Sequence, residues 1–99
     1  MKSKLTAERL HQAAQVLKCI AHPDRLRLVE RLENRDRSVN ELVRELGLTQ
    51  AVVSKHLAVL RRAGIVRNEV RKNFRYYSVA YHNVLNILDC MRRHRGGPK

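Results

Sequence analysis

Within Thr49-Gln50-Ala51-Val52-Val53-Ser54-Lys55-His56, three polar side chains can read the edge of a base pair. The Gln50 carboxamide donates and accepts together, which matches N6 and N7 of adenine. The Ser54 hydroxyl can donate to or accept from a base or a phosphate, and the Lys55 ammonium can reach guanine or the sugar–phosphate backbone. Ala51 and Val52 are out of place on a purely solvated surface, but a small apolar side chain suits the thymine methyl. His56 is expected on a phosphate. Farther along, Arg61 and Arg62 are suited to holding the backbone rather than reading sequence.

These residues can act together only if a helix begins at their leading end. Thr49 is a suitable N-cap, Val53, Leu57 and Leu60 supply an interior face, and Gly64 ends the segment. A second helix precedes it closely. Ser38 caps that one, with Glu41 three residues on to complete a capping box. Val39, Leu42, Val43 and Leu46 form its apolar face, and Gly47 stops it. Two short helices joined only through Leu48 and Thr49 must cross steeply, as in a helix-turn-helix. The second helix of such a pair offers its N-terminal residues to the major groove.

Upstream, Thr6 caps a first helix with an apolar stripe of Leu10, Ala13, Ala14, Leu17 and Ile20. His22-Pro23-Asp24 interrupts it, and Pro23 suits the first position of another helix carrying Leu26, Val29 and Leu32 and ending near Asn34. After Gly64 the period changes. Ile65–Val70 and Phe74–Val79 are rich in β-branched and aromatic residues around a polar turn, Arg71-Lys72-Asn73, which predicts a hairpin. Arg67, Arg71, Lys72 and Arg75 cluster on this hairpin and would lie along a phosphate strand or enter the minor groove. A last helix, about Tyr81 to Arg93, lines up Tyr81, Val84, Leu85, Leu88 and Met91. Residues 95–99 are expected to be disordered.

The expected fold is mainly α with one small β-hairpin: four helices, two strands and a fifth helix, in one domain spanning residues 1–94. Ninety-nine residues cannot supply two cores. Hydrophobic residues make up 43%, enough to fold, and with aromatics at 4% the core must be built of Leu, Val, Ile and Ala. Lys and Arg number 21 against 9 acidic residues, a net charge of +12. Like charges repel in a compact chain, so this excess points to an anionic partner, nucleic acid before an acidic membrane surface. A non-specific architectural nucleic-acid-binding protein is the alternative in which charge is the whole story. Paired carboxylates, a Gly-rich phosphate loop and a Ser/His/Asp grouping are all missing, so no enzyme and no cofactor are expected. No stretch reaches the ~20 apolar residues that cross a bilayer, and the N-terminus carries no cleavage signal, so the expected location is cytoplasmic with no membrane partner.

Several runs carry a family likeness. Leu17-Lys18-Cys19-Ile20-Ala21-His22-Pro23-Asp24-Arg25-Leu26-Arg27-Leu28-Val29 resembles the opening of ArsR/SmtB-type bacterial regulators. So do Leu48 to Leu57, Leu60-Arg61-Arg62-Ala63-Gly64-Ile65-Val66 and the strand ending Tyr76-Tyr77-Ser78-Val79. The likeness covers about residues 10–94. It implies a winged helix-turn-helix homodimer that represses an operon and leaves its double-stranded operator when an inducer binds. It also implies a dimer interface built from the first and last helices, here Leu10, Ala13, Ala14, Leu17, Val84, Leu85, Leu88 and Met91. Two recognition helices would then lie about 34 Å apart on a pseudo-palindromic site.

The same likeness locates sensor sites, and this chain departs from them. A Cys-x-Cys-Asp-Leu metal run aligns with Ser38-Val39-Asn40-Glu41-Leu42, which has neither thiolate. A second metal site on the last helix aligns with Tyr81, Asn83, His94 and Gly97, leaving one imidazole, too few to hold zinc. A thiol-switch position on the second helix aligns with Glu30. No metal site is therefore expected and the inducer is unidentified. Cys19 and Cys90 remain: either a weak thiol site or two small buried hydrophobes. His11, His22 and His82 show no convergent spacing and read as surface or cap residues.

Overall fold

A computed structural model describes residues 5–93 of the 99. In chain order its elements are α1 (Ala7–Ile20), α2 (Pro23–Asn34), β1 (Arg37–Ser38), α3 (Val39–Leu46), α4 (Gln50–Arg62), β2 (Val66–Arg71), β3 (Phe74–Val79) and α5 (Val84–Arg93). The tail at residues 95–99 and His94 lie outside the described residues.

Local chemistry sets most boundaries. Thr6 Oγ1 accepts from the Arg9 amide at 3.1 Å, and His22 Nδ1 accepts from the Asp24 amide at 3.2 Å with Pro23 opening α2. At α3 both halves of the capping box form: Ser38 Oγ accepts from the Glu41 amide, and Glu41 accepts from the Ser38 amide. Gly47 ends α3 at φ 68°, a left-handed position that costs a residue with a Cβ and costs glycine little. Thr49 Oγ1 then accepts from the Val52 amide at 3.2 Å and starts α4.

The sheet holds one strand more than the hairpin expected from sequence. Its order is β1-β3-β2, all antiparallel. β2 and β3 pair from Val66↔Val79 to Arg71↔Phe74, leaving a two-residue turn at Lys72 and Asn73. β1 pairs Arg37 with Tyr77 and Ser38 with Tyr76. Two residues are too short to show a period of two, so nothing in the sequence marks this strand.

One core gathers Leu28, Val29 and Leu32 of α2, Leu42 and Leu46 of α3, Val53, Leu57 and Leu60 of α4, with Ile65, Val66, Val79 and Val84. It is aliphatic, as the composition requires. α5 starts at Val84, three residues later than expected, because the Ala80 and Tyr81 amides both donate to the Ile65 carbonyl and hold that stretch out of the helix. Val84 is 1% exposed and belongs to this core; it is not free to serve a dimer interface. Its neighbours Leu85 and Leu88 also pack against the core, half-buried. α1 contributes little to this core. It buries only Cys19 and Ile20 and leaves Leu10, Ala13, Ala14 and Leu17 exposed. The molecule measures 52 × 31 × 21 Å.

Candidate nucleic-acid interface

The sequence of α4 divides the helix into two faces. Val53, Leu57 and Leu60 are fully buried, whereas Gln50, Ala51, Val52, Ser54 and Lys55 are exposed, as are Thr49 at the cap and Arg61 at the far end. An amide, a hydroxyl, an ammonium and two small apolar groups therefore share the outer surface of the first turns. The N-terminal turn of α4 also favours an anion, although the Val52 amide is already taken by Thr49 Oγ1. No acidic residue stands in that turn to cancel the effect.

His56 departs from the expected outward position. It is 7% exposed and faces the protein interior. Its Nδ1 accepts from Arg25 Nε at 3.1 Å, and its ring centre lies 4.6 Å from that of His22. Burial, then the neighbouring His22 and Arg25, push its pKa below the usual imidazole value. A buried ring already held by Arg25 cannot serve as a phosphate contact. Helical spacing carried the warning, because residue 56 lies three after Val53 and four before Leu60 and so shares their face.

His22 is likewise drawn into a cluster that spacing did not reveal. Ligand-type atoms of His22, Asp24 and His56 all lie within 4.8 Å of one another. These groups are already engaged: His22 Nδ1 with the Asp24 amide, His56 Nδ1 with Arg25, and Asp24 Oδ1 with Arg27 at 3.3 Å. Two guanidinium groups beside the cluster oppose a cation, and the hydrogen bond that links α2 to α4 here is the one from Arg25 to His56.

Four basic residues stand exposed on the wing, but not all are available. Arg71 pairs with both Glu69 and Asp36 and lies over the Tyr76 ring, its Cζ 5.0 Å from the centroid. Those carboxylates hold its proton more tightly than usual. Arg75 Nη1 donates to Asn68 Oδ1 at 3.1 Å, and Arg67 Nε donates weakly to Ser78 Oγ at 3.4 Å. Lys72 occupies the turn at φ 55° with an exposed side chain. Charge alone groups these four residues, and the pairing of Arg71 with Asp36 and Glu69 that sorts them exists only in the fold.

Both cysteines are free. Cys19 is a buried hydrophobe whose Sγ approaches the Val59 carbonyl at 4.0 Å, but Cys90 is exposed on α5 and does not fit that reading.

The model for "Bacterial regulatory protein, arsR family" matches residues 22–68, from the cap of α2 into β2. An uncharacterized HTH-type transcriptional regulator of Mycobacterium tuberculosis (strain CDC 1551 / Oshkosh) is 41% identical over 81 residues, 81% of this chain and 71% of its own. The chain belongs to the arsR family. Solved structures agree with this arsR assignment. The transcriptional repressor BigR from Xylella fastidiosa has a TM-score of 0.82 at 28% identity, over 92% of this chain and 93% of that one. A homodimeric winged helix-turn-helix DNA-binding domain from Mycobacterium bovis has a TM-score of 0.78 at 25% identity, over 94% and 86%. This arsR-family chain is thus a winged helix-turn-helix transcriptional regulator, with α3 and α4 as the helix-turn-helix and β2–β3 as the wing. The matched family and relatives are regulators, not enzymes. Among the described residues no helix is long and apolar enough to cross a membrane.

Proposed function

We propose that this protein is a cytoplasmic homodimer that represses transcription by binding a specific double-stranded operator, residues 1–94 forming the DNA-binding and dimerisation unit. The observation that carries this reading is the outward display of Gln50, Ala51, Val52, Ser54 and Lys55 on the leading turns of α4, opposite a fully buried face. Gln50, Ser54 and Lys55 address base edges, Ala51 and Val52 thymine methyls, and Thr49 and Arg61 the flanking backbone. Lys72, Arg67 and Arg75 of the wing hold a neighbouring phosphate strand, with Arg71 restrained by its acids.

Dimerisation is supported by the stripe of Leu10, Ala13, Ala14 and Leu17 that the subunit leaves exposed on α1, and by Met91, 56% exposed on α5. Leu85 and Leu88 contribute their outer edges. Ser38 to Leu42 holds neither thiolate of the family's cysteine metal site, so repression is constitutive or answers another signal, with exposed Cys90 the accessible thiol.

Selection of duplexes from a randomised pool tests the reading. A specific binder enriches a pseudo-palindrome and prefers it over random duplex by roughly 10³-fold or more. Gln50→Ala then costs about 1–3 kcal/mol on the selected site and relaxes preference at one base pair. Failure to enrich any sequence would leave only a charge-driven architectural binder. Equal losses on selected and random DNA would place Gln50 away from the bases.

A further inference from the structure

The Arg25 guanidinium joins three helices behind the reading surface. Nη1 donates to the Cys19 carbonyl in the last turn of α1 at 2.9 Å, while Nε donates to His56 Nδ1 on α4 at 3.1 Å. Arg25 itself stands half-buried in the first turn of α2. Along α4, exposed Ser54 and Lys55 are followed directly by buried His56 and Leu57. The rotation of the helix about its axis therefore fixes where the base-reading groups point. Val53, Leu57 and Leu60 hold the helix down, but apolar contact is non-directional and tolerates small rotations and slides. A hydrogen bond of set length and angle does not.

We propose that Arg25 is a positioning residue for DNA reading: by gripping His56 it sets the rotation of α4 and ties that helix to the end of α1. This rests on the DNA-reading role proposed above. Because α1 also carries the exposed stripe assigned to the dimer contact, one guanidinium links the reading helix to the helix that meets the second subunit.

The grip requires a lone pair on Nδ1. A protonated imidazole carries donors on both nitrogens, so acid replaces a hydrogen bond with two facing cations. The groups facing His56 are His22, Asp24 and Arg25 of α2 and Lys55 of its own helix. Asp24 favours the charged ring; burial and the three bases oppose it. The neutral, gripping form is complete at the ordinary imidazole value near 6.5 and is lost only as the pH falls on through the ring's own, lower value.

The test titrates duplex selected by the wild-type protein, and the unselected random pool, with wild type, Arg25→Gln, Arg25→Lys and His56→Asn over series of salt and pH. Arg25→Gln is expected to bind the selected duplex about tenfold more weakly. It should leave random-pool affinity and the salt slope unchanged, because a positioning residue neutralises no phosphate. Arg25→Lys keeps the charge but loses the two-armed fork, so it should stay near Arg25→Gln. His56→Asn, whose Oδ1 can replace Nδ1 as acceptor, should match wild type near pH 7.5 and escape the wild-type fall in affinity in acid, which sets in at a pH below the ordinary imidazole value. The proposal is overturned if Arg25→Gln binds as wild type or weakens equally on both pools. It is also overturned if His56→Asn keeps the wild-type pH profile, which decides the matter alone should the Arg25 variants lose their helical circular dichroism. A wild-type protein that selects no sequence fails the DNA-reading role instead, and takes this link with it.

Discussion

Arg37 Nε lies between the two carboxylate oxygens of Glu45, at 2.8 and 2.9 Å. The Arg37 side chain is almost wholly buried, and its Nη1 donates to the carbonyls of Arg31 and Arg35 near the end of α2. One residue of β1 thus fastens α2 to α3, the helix on which the recognition helix is mounted.

Removing Arg37 should therefore destabilise the fold. Arg37→Met leaves those carbonyls and a quarter-exposed Glu45 carboxylate short of a partner, although Arg31 stands 3.7 Å from Glu45 and softens the loss. A decrease of about 2–4 kcal/mol is expected, with Glu45→Gln costing less, about 1–2 kcal/mol. Urea unfolding at fixed protein concentration measures both. An Arg37→Met protein as stable as wild type would show the pair to be neutral.

Acid should loosen α3 through Glu41. The Arg35 guanidinium at 2.7 Å and the Ser38 amide hold its carboxyl at about 2, below the ordinary 4.5. A folded pKa below the unfolded one gives stabilisation that is complete above about 4.5 and is lost as the pH falls toward about 2. Glu41→Gln retains the capping geometry but not the titration, so its stability should fall less over that window. Identical acid limbs in the two proteins would exclude Glu41 as a contributor.

The wing bases should not be equal. Arg71 already faces Glu69 and Asp36, whereas Lys72 stands exposed in the turn. Lys72→Ala is expected to weaken random duplex more than Arg71→Ala. Glu69→Gln should tighten binding and steepen the salt slope by about one. Fluorescence anisotropy over a salt series reads these effects, and an Arg71→Ala loss exceeding that of Lys72→Ala would contradict the restraint.

Apolar substitutions should separate association from folding. Leu17, 52% exposed on α1, carries little of the subunit core, so Leu17→Glu should lower the sedimentation mass from dimer to monomer and leave the helical signal intact. Val84→Ala should do the reverse, keeping the dimer while lowering stability by about 1–3 kcal/mol. A Leu17→Glu protein that remains dimeric would remove α1 from the interface.

Nearly all of the helix-turn-helix could be read from residues close in sequence. Thr6, Ser38 with Glu41, Gly47 and Thr49 act on groups three or four positions away, so residue type and spacing alone express their effect. Periodicity likewise separated the buried Val53, Leu57 and Leu60 from the exposed Gln50, Ser54 and Lys55. His56 shows where residue type misleads: it keeps the spacing of the buried face, but its polarity argued for solvent until Arg25, far off in sequence, supplied a partner.

What amino-acid order determined by itself was therefore the run of helices and strands, the basic excess and the polar face that α4 displays, because short-range hydrogen bonds and a repeating apolar period set them. Only the tertiary structure decided that Val84 packs inward, that a two-residue β1 joins the sheet, that Arg71 is restrained and that Arg25 grips His56. An apolar stripe does not say whether its cover is the same chain or another, and a charge does not name its counterion. Both answers depend on distances that exist only after distant segments have packed.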